Sequence, residues 1–209
     1  MRIGVIGAGD MGGALAVALA PHHDVVVAGS QSGSASVAAT MREAQGSLHE
    51  ASVLECAETD ICVLTVPWAS IDAALDVLQA TPPRRILSVV VPWTGDDAQP
   101  ALGTSDSVAE FVARKLMRSS VAGAFTTVAA STIRAIKRYR EKPTVFVTSD
   151  DAETKRIARE LAESIGFTAI DAGPLYAARF TEAMGFLWTS LAFQGGAGEM
   201  VAFRTVLPE

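Results

Sequence analysis

The residues with the clearest chemical meaning lie near the start of the chain, where glycines recur at a fixed spacing. A short apolar run leads into Gly7, Ala8, Gly9, Asp10, Met11 and Gly12, and a stretch rich in alanine and leucine follows. In this pattern the first glycine permits a tight turn, the second lets the backbone approach a pyrophosphate, and the third lets a helix pack against a strand. Because such a helix also offers free N–H groups at its start, the loop predicts a dinucleotide site. The alternative is a glycine-rich turn without a ligand.

A second loop bears on which dinucleotide binds. The chain reads Gly29-Ser30-Gln31-Ser32 after a run of valines. A carboxylate at the end of this strand would hold the ribose diol of NAD, whereas a small polar residue, often with an arginine beside it, admits the 2′-phosphate of NADP. Ser30 and Gln31 therefore favour NADP, although neither adds a positive charge. An ordinary serine and glycine loop is the alternative.

Alternating strands and helices must position these loops. Apolar, β-branched runs predict strands at 2–6, 24–28, 61–66, 85–91, 121–125, 144–148 and 168–171. Apolar spacing predicts helices at 10–20, 34–44, 70–79, 106–117 (capped by Ser105 or Asp106), 151–165 and 174–193. The alternation indicates an α/β fold, a Rossmann-type doubly wound parallel sheet with a small C-terminal α/β region. We divide the chain into a dinucleotide-binding domain at 1–120 and a second region at 121–209.

Composition limits the class of partner. The 209 residues are 49% hydrophobic and carry a net charge of −6, which argues against nucleic acid or an anionic membrane surface as the main partner. Cys56 and Cys62 are the only cysteines, so a reduced pair is expected rather than a disulfide framework. We find no secretory leader and no apolar run long enough to span a bilayer. A soluble cytoplasmic protein is the expectation.

Further segments complete a recognisable pattern. After the glycine loop come Val63-Leu64-Thr65-Val66-Pro67-Trp68, Ser88-Val89-Val90-Val91-Pro92, Asp171-Ala172-Gly173-Pro174-Leu175 and Gly195-Gly196-Ala197-Gly198-Glu199. In this order they resemble the NADPH-dependent reductases of coenzyme F-420, a deazaflavin, over nearly the whole chain. The resemblance implies a homodimer that transfers a hydride between NADP(H) and coenzyme F-420, with a C-terminal region that holds the deazaflavin against the nicotinamide.

The resemblance also assigns residues to the two substrates. The pyrophosphate loop corresponds to Ala8–Gly12 and the 2′-phosphate site to Ser30 and Gln31. The ends of the next strands, which line the cofactor, correspond to Pro67, Trp68, Val91 and Pro92. The pocket of the second substrate corresponds to Phe125, Thr126, Thr127 and Ala197.

Three departures from the family pattern keep alternatives open. The family commonly has an arginine at the position of Gln31, a histidine at the position of Phe125 and a methionine at the position of Ala197. One alternative is therefore an NADPH-dependent reductase of another small-molecule, biosynthetic substrate. The other is a non-catalytic NAD(P) sensor, which would bind NADPH without oxidising it.

We assign no side chain as a catalyst and no metal site. Hydride transfer between two carbon centres depends mainly on how two rings are positioned, and the cofactor carries the chemistry. The histidines, His22, His23 and His49, lie away from the expected nicotinamide. Reduction of a ketone or imine would need a proton donor, for which the candidates are Tyr176, Thr126, Thr127 and Glu182.

Two groups of side chains have both a plain and a functional interpretation. The basic run Arg134, Lys137, Arg138, Arg140 and Lys142 is either a solvated helix face or a clamp for an anionic tail, such as the phosphate and glutamate tail of coenzyme F-420. Trp68 and Trp93 follow prolines at strand ends, where they either line a cleft or pack. Trp188 and the apolar stripe of the last helix indicate core or a subunit interface.

Overall fold

The buried β-branched runs form strands of one mixed sheet. The structure, a computed structural model, describes residues 1–94, 99–206 and 208. The strands are β1 (Arg2–Ile6), β2 (Asp24–Ala28), β3 (Leu48–Glu50), β4 (Ile61–Leu64), β5 (Arg85–Ser88), β6 (Trp93–Thr94), β7 (Gln99–Pro100), β8 (Ser120–Gly123), β9 (Thr144–Ser149) and β10 (Thr168–Asp171). The main sheet has the order β10-β9-β8-β5-β4-β1-β2-β3, and β6 pairs with β7 beside it.

Helices cover both faces of this sheet. They are α1 (Asp10–Leu19), α2 (Ala35–Glu43), α3 (Val53–Ala57), α4 (Ile71–Ala80), α5 (Val108–Lys115), α6 (Ala130–Arg134), α7 (Ala152–Ser164) and α8 (Ala178–Thr189). One buried cluster joins the sheet to α1, α2, α6 and α7. A second joins it to α3, α4, α5 and α8. The predicted Rossmann-type doubly wound fold is confirmed.

The direction of the strands changes between β8 and β9. The pairs from β3 across to β8 are parallel, whereas β8 and β9 pair antiparallel, with Gly123 opposite Thr148. β10 runs parallel to β9 and therefore ends at the amino edge of the main sheet. The helix that follows, α8, consequently runs back toward the carboxyl edge, where ligands bind in such folds.

Several helices begin or end at other residues than predicted, and local hydrogen bonds explain the differences. The helix expected at 106–117 begins at Val108 because Ser107 is its cap: the Ser107 hydroxyl accepts the Glu110 N–H at 3.2 Å, while Asp106 binds Arg114 instead. The helix expected at 174–193 is three segments, since a 3₁₀ turn precedes α8 and a π-helical turn at Ser190–Gln194 follows it. The short elements β3, α3 and α6 were not expected, because none is long enough to show a period.

The predicted division at residue 120 falls inside the sheet. β8 begins at Ser120 and pairs with β5, so the two parts share one set of hydrogen bonds. The domains 1–120 and 121–209 stay a prediction. Within the described ranges, no helix is long and apolar enough to cross a membrane.

Both cysteines are free thiols inside the core. Cys62 lies in β4, and Cys56 lies in α3 beneath β1, where a Cβ on Gly4 would come within 2.3 Å of the Cys56 carbonyl oxygen. Burial raises the pKa of Cys56 to about 12 and raises that of Cys62 as well. Neither thiol is therefore a nucleophile at neutral pH.

Candidate active site

A cleft of about 930 Å³ opens at the carboxyl edge of the sheet. It lies beyond the ends of β1 and β4, the neighbours at which the order of the sheet reverses, and this is where doubly wound folds bind their ligands. Two of its walls matter for chemistry. The glycine wall consists of Gly7, Gly9, Asp10, Met11 and Thr65, and the aromatic wall of Phe125, Thr126, Gly185, Trp188 and Phe193.

The three glycines of the loop are suited to their positions for different structural reasons. Gly7 has φ +106°, which favours glycine, and a Cβ on Gly12 would lie 1.8 Å from the Gly7 carbonyl oxygen. A Cβ on Gly9, by contrast, would meet nothing within 4 Å. The space above Gly9 is thus open to the cleft, beside the start of α1, where no side chain caps the free N–H groups. The arrangement fits a pyrophosphate.

Thr65 ties this loop to the neighbouring strand. Its hydroxyl lies 2.9 Å from the Ile6 carbonyl oxygen and 2.8 Å from that of Gly7, and donates to them. The two predicted loop residues that do not line the cleft are Ala8 and Gly12, which are buried beneath it. The loop is therefore held from below by the protein, and its upper surface is left to a ligand.

The ends of β4 and β5 form the floor between the two walls. Pro67, Trp68, Val91 and Trp93 line the cleft. Trp68 packs edge-on against Phe111 with ring centroids 5.5 Å apart. Pro92 is buried and lines a separate cavity of about 190 Å³. Of the residues expected to line the cofactor here, the structure brings three together and turns Pro92 away.

The loop after β2 borders a smaller pocket of about 520 Å³, to which Ser30 and Gln31 both contribute. Ser34 is occupied as the cap of α2, since its hydroxyl accepts the Val37 N–H at 3.4 Å. Two carboxylates, Glu50 and Glu55, also line this pocket. Sequence reasoning missed them because Glu50 ends the short strand β3 and Glu55 lies in the short helix α3.

The aromatic wall includes a strained residue. Phe125 lies two residues after the end of β8 and has φ +60°, an uncommon conformation for a residue with a Cβ. Its ring is 2% exposed and meets Phe167 edge-on at 5.9 Å. The Thr126 hydroxyl donates to the Thr181 carbonyl oxygen at 3.0 Å, which ties the same turn to α8.

The rest of the aromatic wall comes from α8 and the turn after it. A Cβ on Gly185 would lie 2.5 Å from the Thr126 carbonyl oxygen, so the glycine permits close approach of the helix. Trp188 lines the cleft and donates from Nε1 to the Val201 carbonyl oxygen at 2.7 Å. Phe193 meets Trp188 at 6.0 Å and remains 60% exposed. Sequence reasoning missed Gly185 and Phe193 and placed Trp188 in the core or an interface.

The other residues expected in the second pocket lie elsewhere. Thr127 is buried, Ala197 is exposed, and neither lines the cleft. Tyr176 is 53% exposed in the 3₁₀ turn before α8, outside the described lining. Ala197 lies between Phe193 and Glu199 in the sequence, and both of these residues line the cleft.

Ionisable groups are sparse in the cleft. In the described lining they are Asp10, Arg134 and Glu199. Among the described residues, no group of three or more His, Cys, Asp or Glu side chains could hold a metal ion. The hydroxyls of Thr65, Thr126 and Ser131 already donate to carbonyl oxygens.

Glu182 is buried behind the aromatic wall. Its carboxylate accepts the N–H groups of Val108 at 2.8 Å and Ala109 at 3.2 Å, the first turn of α5. Burial raises the pKa of Glu182 to about 8, despite these hydrogen bonds, and the nearby Glu110 and Asp106 add to the shift. Glu182 does not line the cleft. It joins α8 to α5 and is not placed to donate a proton there.

The basic run lies beside the cleft. Lys137, Arg138 and Lys142 line a groove of about 1090 Å³ that follows α1, and Arg134 lines both this groove and the cleft. Arg134 pairs with Glu43 at 3.7 Å. Within residues 1–94 and 99–206, the other three groove cations, Lys137, Arg138 and Lys142, have no ion pair. Arg140 is not part of the groove lining.

Comparison with known proteins agrees with this geometry. The model of a family described as "NADP oxidoreductase coenzyme F420-dependent" matches residues 2–92. An F420-dependent NADP reductase of Methanocaldococcus jannaschii is 28% identical over 201 residues, which cover 88% of this chain and 89% of that protein. The metalloreductase STEAP3 of Rattus norvegicus is 26% identical over 183 residues; these cover 88% of this chain, which spans 36% of that relative's length.

A solved structure is similar throughout. A protein of Arthrobacter sp. FB24, described as a candidate F420-dependent NADP reductase, has a TM-score of 0.86 at 23% identity, covering 99% of this chain and 100% of that one. The family model and the Methanocaldococcus jannaschii relative confirm the resemblance inferred from the sequence, and the Arthrobacter structure confirms the fold. The family match covers the glycine wall, whereas the aromatic wall lies beyond it.

Proposed function

We propose that this chain transfers a hydride between NADP(H), bound along the glycine wall, and coenzyme F-420 or a related deazaflavin or flavin, bound against the aromatic wall. The observation that carries the proposal is the contrast between the two walls of one cleft. One has an open backbone surface suited to a pyrophosphate, and the other is largely apolar and suited to a flat ring. Two free, buried thiols suit the reducing cytoplasm as its compartment.

The residues of the glycine wall would hold the dinucleotide. The N–H groups at the start of α1 face the open space above Gly9 and would bind the pyrophosphate. Val91, Pro67 and Trp68 would enclose the nicotinamide, which supplies or accepts the hydride when it is bound. Exclusion of water and fixed orientation are what these side chains contribute to the rate.

None of the described residues that make up the aromatic wall is an acid, which favours a flavin-like acceptor over a ketone or imine; the carboxylates in the described lining of the whole cleft are Asp10 and Glu199. Reduction of a carbonyl or imine needs a proton donor at the reacting atom. In the described lining the nearby hydroxyls already donate to the backbone, and Glu182 and Tyr176 lie outside it. A deazaflavin or flavin ring would take up its proton at an atom remote from the one that accepts the hydride, so the proton could come from solvent without an acid at the reacting atom.

The test is oxidation of NADPH, followed by absorbance, with and without coenzyme F-420. We expect oxidation that depends on coenzyme F-420. Tight binding of NADPH with turnover only on a small ketone or imine would favour the alternative reductase. Binding without turnover on any acceptor offered would favour the sensor, and absence of dinucleotide binding would overturn the proposal.

The basic groove supports a tailed acceptor. Arg134 lies where the cleft meets the groove, and Lys137, Arg138 and Lys142 continue from it. We propose that this groove receives the phosphate and glutamates of the coenzyme F-420 tail. Lys137, Arg138 and Lys142 have no ion pair among the described residues and are therefore available for such a ligand, and they stand out in a chain of net charge −6.

Arg138→Glu and Arg140→Glu test the groove as a matched pair, because only Arg138 is in its lining. We expect Arg138→Glu to raise KM for tailed coenzyme F-420 about tenfold, by lost attraction and added repulsion. KM for the same deazaflavin without its tail should not change, and Arg140→Glu should change neither. Equal effects of the two variants would contradict a specific tail site.

We further propose that the protein is a homodimer joined through α8. Phe180 and Leu187 are exposed at helical spacing on this helix, Leu191 continues the spacing in the π-helical turn after it, and Tyr176 is exposed just before it. A two-fold interface brings the same patch of two subunits together, and an exposed apolar stripe is suited to such a patch. Leu187→Glu should yield a monomer by light scattering, whereas Val77→Glu, at an exposed apolar position on α4, should not. A monomeric wild type would overturn the dimer.

A further inference from the structure

The end of β3 places a carboxylate in the pocket after β2. Glu50 is the last residue of β3 and is paired in register with Val27, one residue before the end of β2. Its Oε1 accepts the Gly33 N–H at 2.6 Å. This hydrogen bond holds the carboxylate against the loop that would have to receive a 2′-phosphate, and Glu50 lines the same pocket as Ser30 and Gln31.

The charges of that pocket oppose a phosphate. Its described lining holds two carboxylates, Glu50 and Glu55, and no basic side chain. Hydrogen bonds from Ser52 lower the pKa of Glu55, so that this group is ionised at neutral pH. Ser30, Gln31 and Ser32 are exposed and offer neutral donors only. A 2′-phosphate here would meet like charges without a compensating cation.

We propose that Glu50 narrows the preference of this protein for NADPH over NADH. Its carboxylate repels the 2′-phosphate of NADPH and offers an acceptor to the ribose hydroxyls of NADH. In dinucleotide-binding folds the deciding carboxylate usually follows the second strand. Here Gly29 and Ser30 follow that strand, and the neighbouring strand supplies the carboxylate instead. The inference rests on the proposed function, because it requires a dinucleotide along the glycine wall.

Glu50→Gln is the informative substitution. Its amide oxygen still accepts the Gly33 N–H, so the loop keeps its tie while the charge is removed. Binding of NADPH and of NADH would be measured by calorimetry at low ionic strength, without a second substrate. We expect the Kd for NADPH to fall about tenfold and the Kd for NADH to stay the same or rise. Added salt should shrink the difference between variant and wild type, because salt screens exposed charges.

Glu58→Gln is the matched control, since Glu58 is an exposed carboxylate at the end of α3 outside the pocket lining. It should leave both affinities unchanged. Equal changes for NADPH and NADH in Glu50→Gln, or an unchanged ratio, would overturn the inference and leave Glu50 as a loop anchor only. If wild type binds neither dinucleotide, the proposed function itself fails, which is a different result.

Discussion

The two walls of the cleft are built in opposite ways. The glycine wall comes mainly from consecutive residues, and its shape is set by backbone conformation: φ +106° at Gly7, contact at Gly12 and open space at Gly9. The aromatic wall gathers Phe125, Trp188 and Phe193 from distant parts of the chain. It is held by side-chain hydrogen bonds and by the return of α8 to the carboxyl edge.

This difference has a consequence for what each wall specifies. A wall made of backbone recognises what all dinucleotides share, the pyrophosphate, and tolerates little change in its own residues. A wall made of side chains takes the shape of one acceptor and changes by single substitutions. The pocket that we propose to discriminate between dinucleotides, lined by Glu50 and Gln31, is separate from the glycine loop.

Substitution of Gly12 should break the glycine wall most severely. In Gly12→Ala the new Cβ would fall 1.8 Å from the Gly7 carbonyl oxygen and 2.4 Å from the Thr65 hydroxyl. We expect a loss of about 4 kcal/mol in the free energy of unfolding and no measurable NADPH binding. Urea denaturation and calorimetric titration would measure the two effects.

Gly9→Ala is the matched control for that substitution. The new Cβ meets nothing within 4 Å, and Gly9 has φ −69°, so the change in stability should stay below about 1 kcal/mol. NADPH binding should weaken about tenfold, because the methyl group enters the pyrophosphate space. Equal destabilisation by both substitutions would contradict the distinct roles given to these glycines.

Glu182→Gln tests how the aromatic wall is held. The pKa of Glu182 is about 8 in the folded state, against 4.5 ordinarily, so the folded state keeps a proton that the unfolded state loses as pH rises. The contribution of Glu182 is therefore fully present below pH 4.5 and is lost as pH rises through about 8, on the order of 5 kcal/mol. Thermal unfolding of wild type and Glu182→Gln across pH 4.5–8.5 would measure it. A constant difference in melting temperature between the two would contradict the raised pKa.

Phe193→Ala should give the smallest and most selective effect. Phe193 is 60% exposed, so its removal should barely change stability, yet it lines the aromatic wall. We expect KM for the acceptor to rise about tenfold with the Kd for NADPH unchanged. Met117→Ala, at an exposed apolar side chain outside the cleft lining, serves as the control. A parallel loss of NADPH affinity in Phe193→Ala would mean that the walls do not act separately.

The sequence predicts the glycine wall much better than the aromatic wall. The glycine loop and the ends of β4 and β5 can be predicted from the sequence because their residues are adjacent along the chain. The backbone conformation at these positions also accounts for the residue types. Trp188, Gly185 and Phe193 cannot be predicted in this way, because they reach the cleft only through the reversal of β9 and β10. A register or direction of pairing between distant strands leaves no local pattern in the residues themselves.

The same limit explains the missed elements. β3 has three residues and α3 has five, too few for a period of two or 3.6 to be seen. Glu50 and Glu55 were missed with them. The last helix was expected as one piece because its apolar spacing continues through Ser190–Gln194, while its wider final turn depends on the Gly195 N–H bonding the Ser190 carbonyl oxygen at 2.8 Å.

The buried thiols offer a way to measure how often the core of the sheet opens. Cys62 lies in a central strand and Cys56 under its neighbour, so an alkylating reagent reaches them only when the core separates. The labelling rate at each position, read by mass spectrometry, would give the frequency of that opening. Both cysteines lie in the half of the chain that carries the glycine loop. A ligand that binds this loop should therefore lower the labelling rate of both cysteines.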